Sequence, residues 1–257
     1  MIECRPIRRE ESDEFLSVMC DVFELDQSRA AHVFYSEPFF DINRKWALFE
    51  NHRIATVLTL TPLKFGWGDA VGVAGVATLP SARRRGHASR LLESSLSGLS
   101  GNSPTVSFLF ATNPGIYART GFSVIDEVIS GVVKPMADPG EPELMSIEDV
   151  QAFYDNWAEA HPDRLRRDAQ RWRAWQWVYR PCEAFAGGYL SNEPMLCREA
   201  LMTESATAWP VVDGTRWMGL KSLTSALRIP ASNFRRELLL MGRNAPGVPQ
   251  MFMTDQF

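Results

Sequence analysis

Apolar and polar positions change period several times along the chain, and each change marks an element. Residues 2–7 alternate weakly, as a strand does, whereas Phe15, Val18, Met19 and Val22 within residues 10–25 recur at helical spacing. A second helical stretch, 28–35, stops near Pro38. Residues 46–50, 54–60 and 71–79 are rich in β-branched and aromatic side chains. The turn-like Asn51-His52-Arg53 and Gly66-Trp67-Gly68-Asp69 separate them, which predicts two antiparallel hairpins. Leu91, Leu92, Leu96 and Leu99 place 89–99 on a helix. Residues 106–111 read as a strand, 113–120 as a short helical or looped piece, and 122–133 as another strand. The resulting order, β-α-α-β-β-β-α-β-α-β, is an α+β layer architecture in which one helix crosses over between neighbouring strands.

Three prolines and a glycine within residues 135–142 make the best linker in the chain. Beyond it the composition shifts, with six of the eight tryptophans between Trp157 and Trp217. Residues 147–160 and 162–180 read as helices, the second with Trp172, Trp175 and Tyr179 on one face. Weaker strands are expected at 184–190, 197–202, 207–211, 237–241 and 250–254, and a helix at 220–227.

Composition narrows the classes without naming one. A chain of 257 residues, 45% hydrophobic and 23% charged, can bury a core of its own and is not disordered. The net charge, 27 − 31 = −4, gives no chain-wide attraction to nucleic acid or to an anionic membrane, and neither partner is expected. Cys4, Cys20, Cys182 and Cys197 form no CxxC pair, and His32, His52 and His161 lack ligand spacing, so reduced thiols and no metal are expected. The first residues are charged and lack the apolar stretch of a signal peptide, which with reduced thiols predicts a cytoplasmic location. Arg164, Arg166, Arg167, Arg171 and Arg173 interleave with tryptophans, but Asp163 and Asp168 interrupt them. A solvated basic helix face is the better reading than a nucleic-acid patch.

The segment Val73 to Leu92 carries the chemistry. A strand ends at Pro80, and Arg83-Arg84-Arg85-Gly86-His87-Ala88 leads into a helix. Such a turn aims several backbone N–H groups and the positive helix end at one point, which suits an anion such as a pyrophosphate. The bland alternative is a solvated basic loop capping a helix.

Arg83-x-x-Gly86-x-Ala88 resembles the acetyl-CoA signature of the GCN5-related N-acetyltransferases (GNAT). About thirty residues on, Asn113-Pro-Gly-Ile-Tyr117-Ala-Arg-Thr-Gly121-Phe122 is similar to that family's N…Y-x-x-x-G-F element. The two matches, in order, cover roughly residues 1–133. The resemblance implies a GNAT fold, a mixed and mostly antiparallel sheet with flanking helices. It divides the chain into an acetyl-CoA-binding domain at 1–134 and a smaller GNAT-like α+β region at 143–257. It implies that Val76, Ala77 and Thr78 present backbone groups to the pantetheine arm and the acetyl carbonyl. Arg84, Arg85, Gly86, His87, Ala88 and Ser89 would hold the pyrophosphate, with Thr112 and Asn113 lining the far side. Tyr117 stands where the family places a general acid for the leaving thiolate; a core tyrosine is the alternative.

The tripled arginine and the long second half look like the Eis (enhanced intracellular survival) type, here shortened. That likeness implies N-acetylation of a primary amine on a small molecule or lysine, in a cleft whose acidic wall attracts a polyamino acceptor. It leaves room for a homo-oligomer without requiring one. Eis-type chains resemble this one in ending on a phenylalanine, so the α-carboxylate of Phe257 is a candidate base. Asp255, Glu50 and water stay open as alternatives, as does simple packing of Phe257. A non-catalytic acyl-CoA-binding sensor or scaffold is the competing function.

Overall fold

The structure, a computed structural model, describes residues 1–99, 104–178, 181–191 and 193–257. Strand β1 (Ile2–Pro6) leads into helices α1 (Ser12–Phe23) and α2 (Gln27–Ser36). Strands β2 (Lys45–Glu50), β3 (Arg53–Phe65) and β4 (Gly68–Thr78) form the two expected hairpins. Helix α3 (His87–Leu99) crosses to β5 (Ser107–Ala111), which pairs parallel to β4. The one-turn helix α4 (Gly115–Ala118) and β6 (Ser123–Val133) complete the first half.

In the second half follow α5 (Ile147–Glu159), α6 (Ala169–Trp177), β7 (Cys182–Phe185), β8 (Gly188–Ser191), β9 (Leu196–Cys197) and β10 (Ala200–Leu201). The last elements are β11 (Arg216–Leu220), α7 (Lys221–Ala226) and β12 (Ala231–Arg243). The large sheet has the order β1-β2-β3-β4-β5-β12-β6-β11-β9 and is mostly antiparallel. β12, a strand of thirteen residues near the far end of the chain, inserts between β5 and β6. Strands from both sides of the 135–142 linker thus share one sheet, and β10-β8-β7 form a small separate one.

Apolar side chains on the two faces of β2–β4 bury in different layers. Phe15, Leu16 and Val18 of α1 pack with Phe34 on one face. Leu91, Leu92 and Leu96 of α3 pack on the other. Three of the four leucines expected on one face of α3 therefore form its core face, while Leu99 at its end is exposed. A larger core joins Phe108 and Leu240 of the sheet to Tyr154, Trp175 and Trp217 of the second half.

Several expectations for the second half are corrected. The helix expected over 162–180 begins only at Ala169, because the Asp168 side chain caps it by accepting the Arg171 N–H. Residues 162–166 instead run along the end of β3, where Gly66 donates to Pro162 O and Arg166 to Lys64 O. Tyr179 and Arg180 lie outside the described residues. The strand expected over 184–190 is a hairpin turning at Ala186 and Gly187, both at positive φ. Residues 250–254 form no strand: Gln250 makes a single isolated bridge to Arg164 and a 3₁₀ turn follows at Met253–Asp255, while 207–211 form no strand beyond the Pro135–Trp209 bridge. The basic face is not uniformly solvated: Arg167 and Arg171 are buried, while Arg166 and Arg173 are exposed. All four cysteines are free, three of them buried. No helix among the described residues is long and apolar enough to cross a membrane.

Candidate functional site

β4 and β5 pair only from Val71 to Val73 against Ser107 to Leu109, then part. A bulge on β4 accounts for the parting. Opposite β3, Val57 faces Ala77 and Thr59 faces Ala74, so Gly75 and Val76 together oppose one residue. Gly75 takes φ +57, the left-handed conformation that an extra strand residue needs and that glycine adopts freely. Such a bulge sharpens the local twist and turns β4 away from β5. Val76, Ala77 and Thr78 therefore line one lip of the opening, with backbone groups that β5 does not pair. Thr112 and Asn113, immediately past β5, stand on the other lip, exposed.

β4 runs on through a short 3₁₀ turn, Pro80–Ala82, into the arginine loop. Arg84 (φ +65) and Gly86 (φ +76) both adopt left-handed backbone there. A Cβ on Gly86 would meet nothing within 4 Å, so this backbone faces open space. The first intrahelical bond of α3 runs from Arg90 N to Gly86 O, and among the described residues the amides from Arg84 to Ser89 find no protein acceptor. These free donors and the helix N-terminus make an anion cradle.

The arginines of the loop have different tasks. Arg85 is tied to Glu50, at 3.0 and 2.8 Å to its two oxygens, and to Ser81 O at 3.1 Å. Arg83 donates to Thr78 O at 3.2 Å. Both staple the loop to the strands, leaving Arg84 exposed with no partner among the described residues. The His87 side chain does not face the cradle: it is buried, its Nε2 has no hydrogen bond, and it lies 3.8 Å from Glu50. Its backbone faces the cradle while its ring points inward.

Tyr117 is positioned by its own turn. The Asn113 side chain accepts the Gly115 N–H at 2.9 Å and Tyr117 N donates to Pro114 O, which starts α4 immediately after β5. The half-buried ring packs edge-on to Phe122 and against the α3-side core. Burial pushes its phenol above the ordinary tyrosine value, so it remains protonated through neutral pH.

Phe257 does not close a strand. Its ring rests on Gly72 of β4, where any Cβ would come within 2.5 Å of it, and meets the Phe110 ring of β5 at 5.3 Å. It also lines a cavity of about 660 Å³ between the sheet and α1–α2, together with Ala74 and Gly75 of β4. The other two candidate bases are already engaged. Glu50 holds Arg85. Asp255 is buried against Arg167, which donates to it through Nε at 3.1 Å and Nη2 at 2.6 Å.

That last contact belongs to a network that the sequence does not signal. Arg167 also donates to Glu199 at 3.0 and 2.7 Å, and Trp175 and Tyr189 donate to Glu199 at 2.9 and 2.6 Å. Thr254 hydrogen-bonds to Glu199 as well. Burial alone would raise the Glu199 carboxyl, but the charge and hydrogen bonds of Arg167 outweigh it and hold it below the ordinary value. Burial likewise disfavours the Arg167 cation, yet Asp255 and Glu199 together raise its pKa well above normal. The network thereby locks the chain two residues before Phe257.

Residues 3–125 match the family model of the acetyltransferase (GNAT) domain. The fold is similar to that of a GCN5-related N-acetyltransferase from Kribbella flavida, at 15% identity over 94% of this chain and 70% of that one, TM-score 0.71. It is also similar to a GCN5-related N-acetyltransferase from Anabaena variabilis, at 14% identity over 95% and 72%, TM-score 0.70. Eis1 from Mycobacterium abscessus matches at 16% identity over 93% and 73%, TM-score 0.59. At these identities the likeness is one of fold. No curated protein sequence matches the chain.

Proposed function

We propose, from a chain whose residues 3–125 match the family model of the GNAT acetyltransferase domain, that it is an acetyl-CoA-dependent N-acetyltransferase acting on a primary amine. The observation that carries this reading is the opening between β4 and β5, with free amides at one end and Tyr117 at the other lip. Acetyl-CoA supplies an acyl thioester, and transfer to an amine expels a thiolate. The amides of Gly86 to Ser89 and the exposed Arg84 would hold its pyrophosphate, with Arg85 and His87 supporting the loop from behind. Val76 to Thr78 would bond the pantetheine arm as a strand would, and Thr112 and Asn113 would close the far side. Tyr117, kept protonated by burial, would give its proton to the departing sulfur.

The acceptor amine must lose a proton, since alkylammonium pKa values lie at about 10. With Glu50 and Asp255 committed to arginines, we assign the base, in protein that ends at Phe257, to the α-carboxylate of that residue acting directly or through water. The test compares protein ending at Phe257 with protein carrying one extra glycine, each given acetyl-CoA and an amine panel with free thiol as readout. Thiol release that falls in the extended form, with acetyl-CoA affinity unchanged, is the expected outcome. Equal rates and pH profiles would remove Phe257 from the chemistry. Acetyl-CoA binding without turnover on any amine would favour the sensor reading instead.

A further inference from the structure

The cavity that Phe257 helps to line is more apolar than an acceptor site for a polycation requires. Phe15 and Met19 of α1, Val33 and Phe34 of α2, Leu25 between them and Leu60 of β3 form its walls. Leu25 is 48% exposed and Val33 43% exposed, so apolar side chains stand open to this space without a protein partner covering them. A volume of about 660 Å³ is that of a small-molecule site.

Its charges do not add up to the acidic wall expected from the sequence. Glu24, Asp26 and Glu37 line it, but so do Arg29, Lys45 and Arg171. Lys45 is paired with Glu37 at 2.6 Å and lies 4.9 Å over the Phe34 ring. Arg171 donates to Pro62 O at 2.6 Å, sits 3.7 Å from Asp255 and covers the Phe39 ring. Asp26 caps α2 by accepting the Arg29 N–H. The side chains of Glu24 and Arg29 have no partner among the described residues and, being of opposite sign, add no net attraction at the mouth. A chain of several ammonium groups would thus desolvate against apolar walls with few free carboxylates to meet it. A molecule with one amine and an apolar body would bury that body and bring a single nitrogen to Phe257 and the β4–β5 opening.

We infer that the acceptor is a primary monoamine carrying an aromatic or alkyl body, seated between α1, α2 and β3 with its nitrogen toward Phe257. This inference rests on the transferase reading above. It is tested on the full chain with phenethylamine, octylamine, ethylamine and spermidine, both by thiol release from acetyl-CoA and by calorimetric binding without acetyl-CoA. Phenethylamine and octylamine should exceed ethylamine and spermidine in kcat/KM by at least about tenfold, the scale on which apolar pockets discriminate. Val33→Lys and Leu25→Gln, both at exposed positions that fold without them, should weaken phenethylamine binding by a similar factor and leave acetyl-CoA affinity unchanged. Preference for spermidine, or phenethylamine binding indifferent to both variants, would overturn the inference. If no amine releases thiol, the transferase reading fails by itself. Direct phenethylamine binding, lost in the two variants, would then still support the cavity assignment, and its absence in the unaltered protein would end it.

Discussion

The role proposed for Tyr117 rests on what one hydroxyl can do in its place. The ring is held by packing against Phe122 and the α3-side core, so Tyr117→Phe removes a proton donor and little else. We expect kcat to fall about 10²-fold or more, the usual scale for a positioned acid, with acetyl-CoA affinity retained. Stopped-time thiol assays and equilibrium binding on the same preparation check both halves of that statement. Gly86 acts through the opposite property, the absence of a side chain. At φ +76 and facing open space, Gly86→Glu strains the backbone and sets a carboxylate in the anion cradle. Combined with Arg84→Ala it should abolish acetyl-CoA binding while the far-ultraviolet circular dichroism stays unchanged; unaltered affinity would refute the cradle. Both positions were legible from motif spacing alone, because a helix N-terminus and an Asx turn are built from residues near in sequence. The commitment of Arg85 to Glu50, 35 residues away, was not.

At the scale of elements, the Gly75 bulge decides where β4 leaves β5. Gly75→Ala forces a Cβ into left-handed backbone, a cost of about 1–2 kcal/mol, and brings it within 2.8 Å of the mobile Met19 methyl. For a chain of this size that corresponds to a drop in Tm of roughly 2–8 °C. Scanning calorimetry should show it, and acetyl-CoA affinity should fall with it if the bulge sets the lip. An unchanged affinity would mean that the opening does not depend on this bulge. Periodicity located the elements of the first half to within a few residues because each buries one face against a neighbour close in sequence. It did worse in the second half. The apolar flanks of Ala186 and Gly187 concealed a hairpin, and β11 went unseen because Arg216 to Leu220 is a short run merging into the helical pattern of α7.

For the molecule as a whole, the Arg167–Glu199–Asp255 network joins the arginine to two segments 32 and 88 residues away. Removing one partner leaves a buried charge uncompensated, so Glu199→Gln should cost about 3–5 kcal/mol at neutral pH in urea unfolding. The sign of its pH dependence follows from the lowered carboxyl. Glu199 contributes fully above the ordinary glutamate value of about 4.3 and loses that contribution as pH falls through its lower folded value. The gap between unaltered and Glu199→Gln protein should therefore narrow in acid; a gap independent of pH down to about 3 would show that the glutamate is not ionised in the fold.

By itself the sequence determined the order of the first ten elements, the loop at Gly86 that leads into α3 and the place of Tyr117 just past β5. Each of these rests on periods, caps and turns that span a handful of residues. Only the tertiary structure decided that β12 enters the sheet between β5 and β6, that the arginines at 167 and 171 turn inward, and that Phe257 comes to lie on Gly72. Those outcomes depend on pairings across tens to hundreds of residues. Which partner wins there is set by the burial of charge and apolar surface, quantities that no local pattern records.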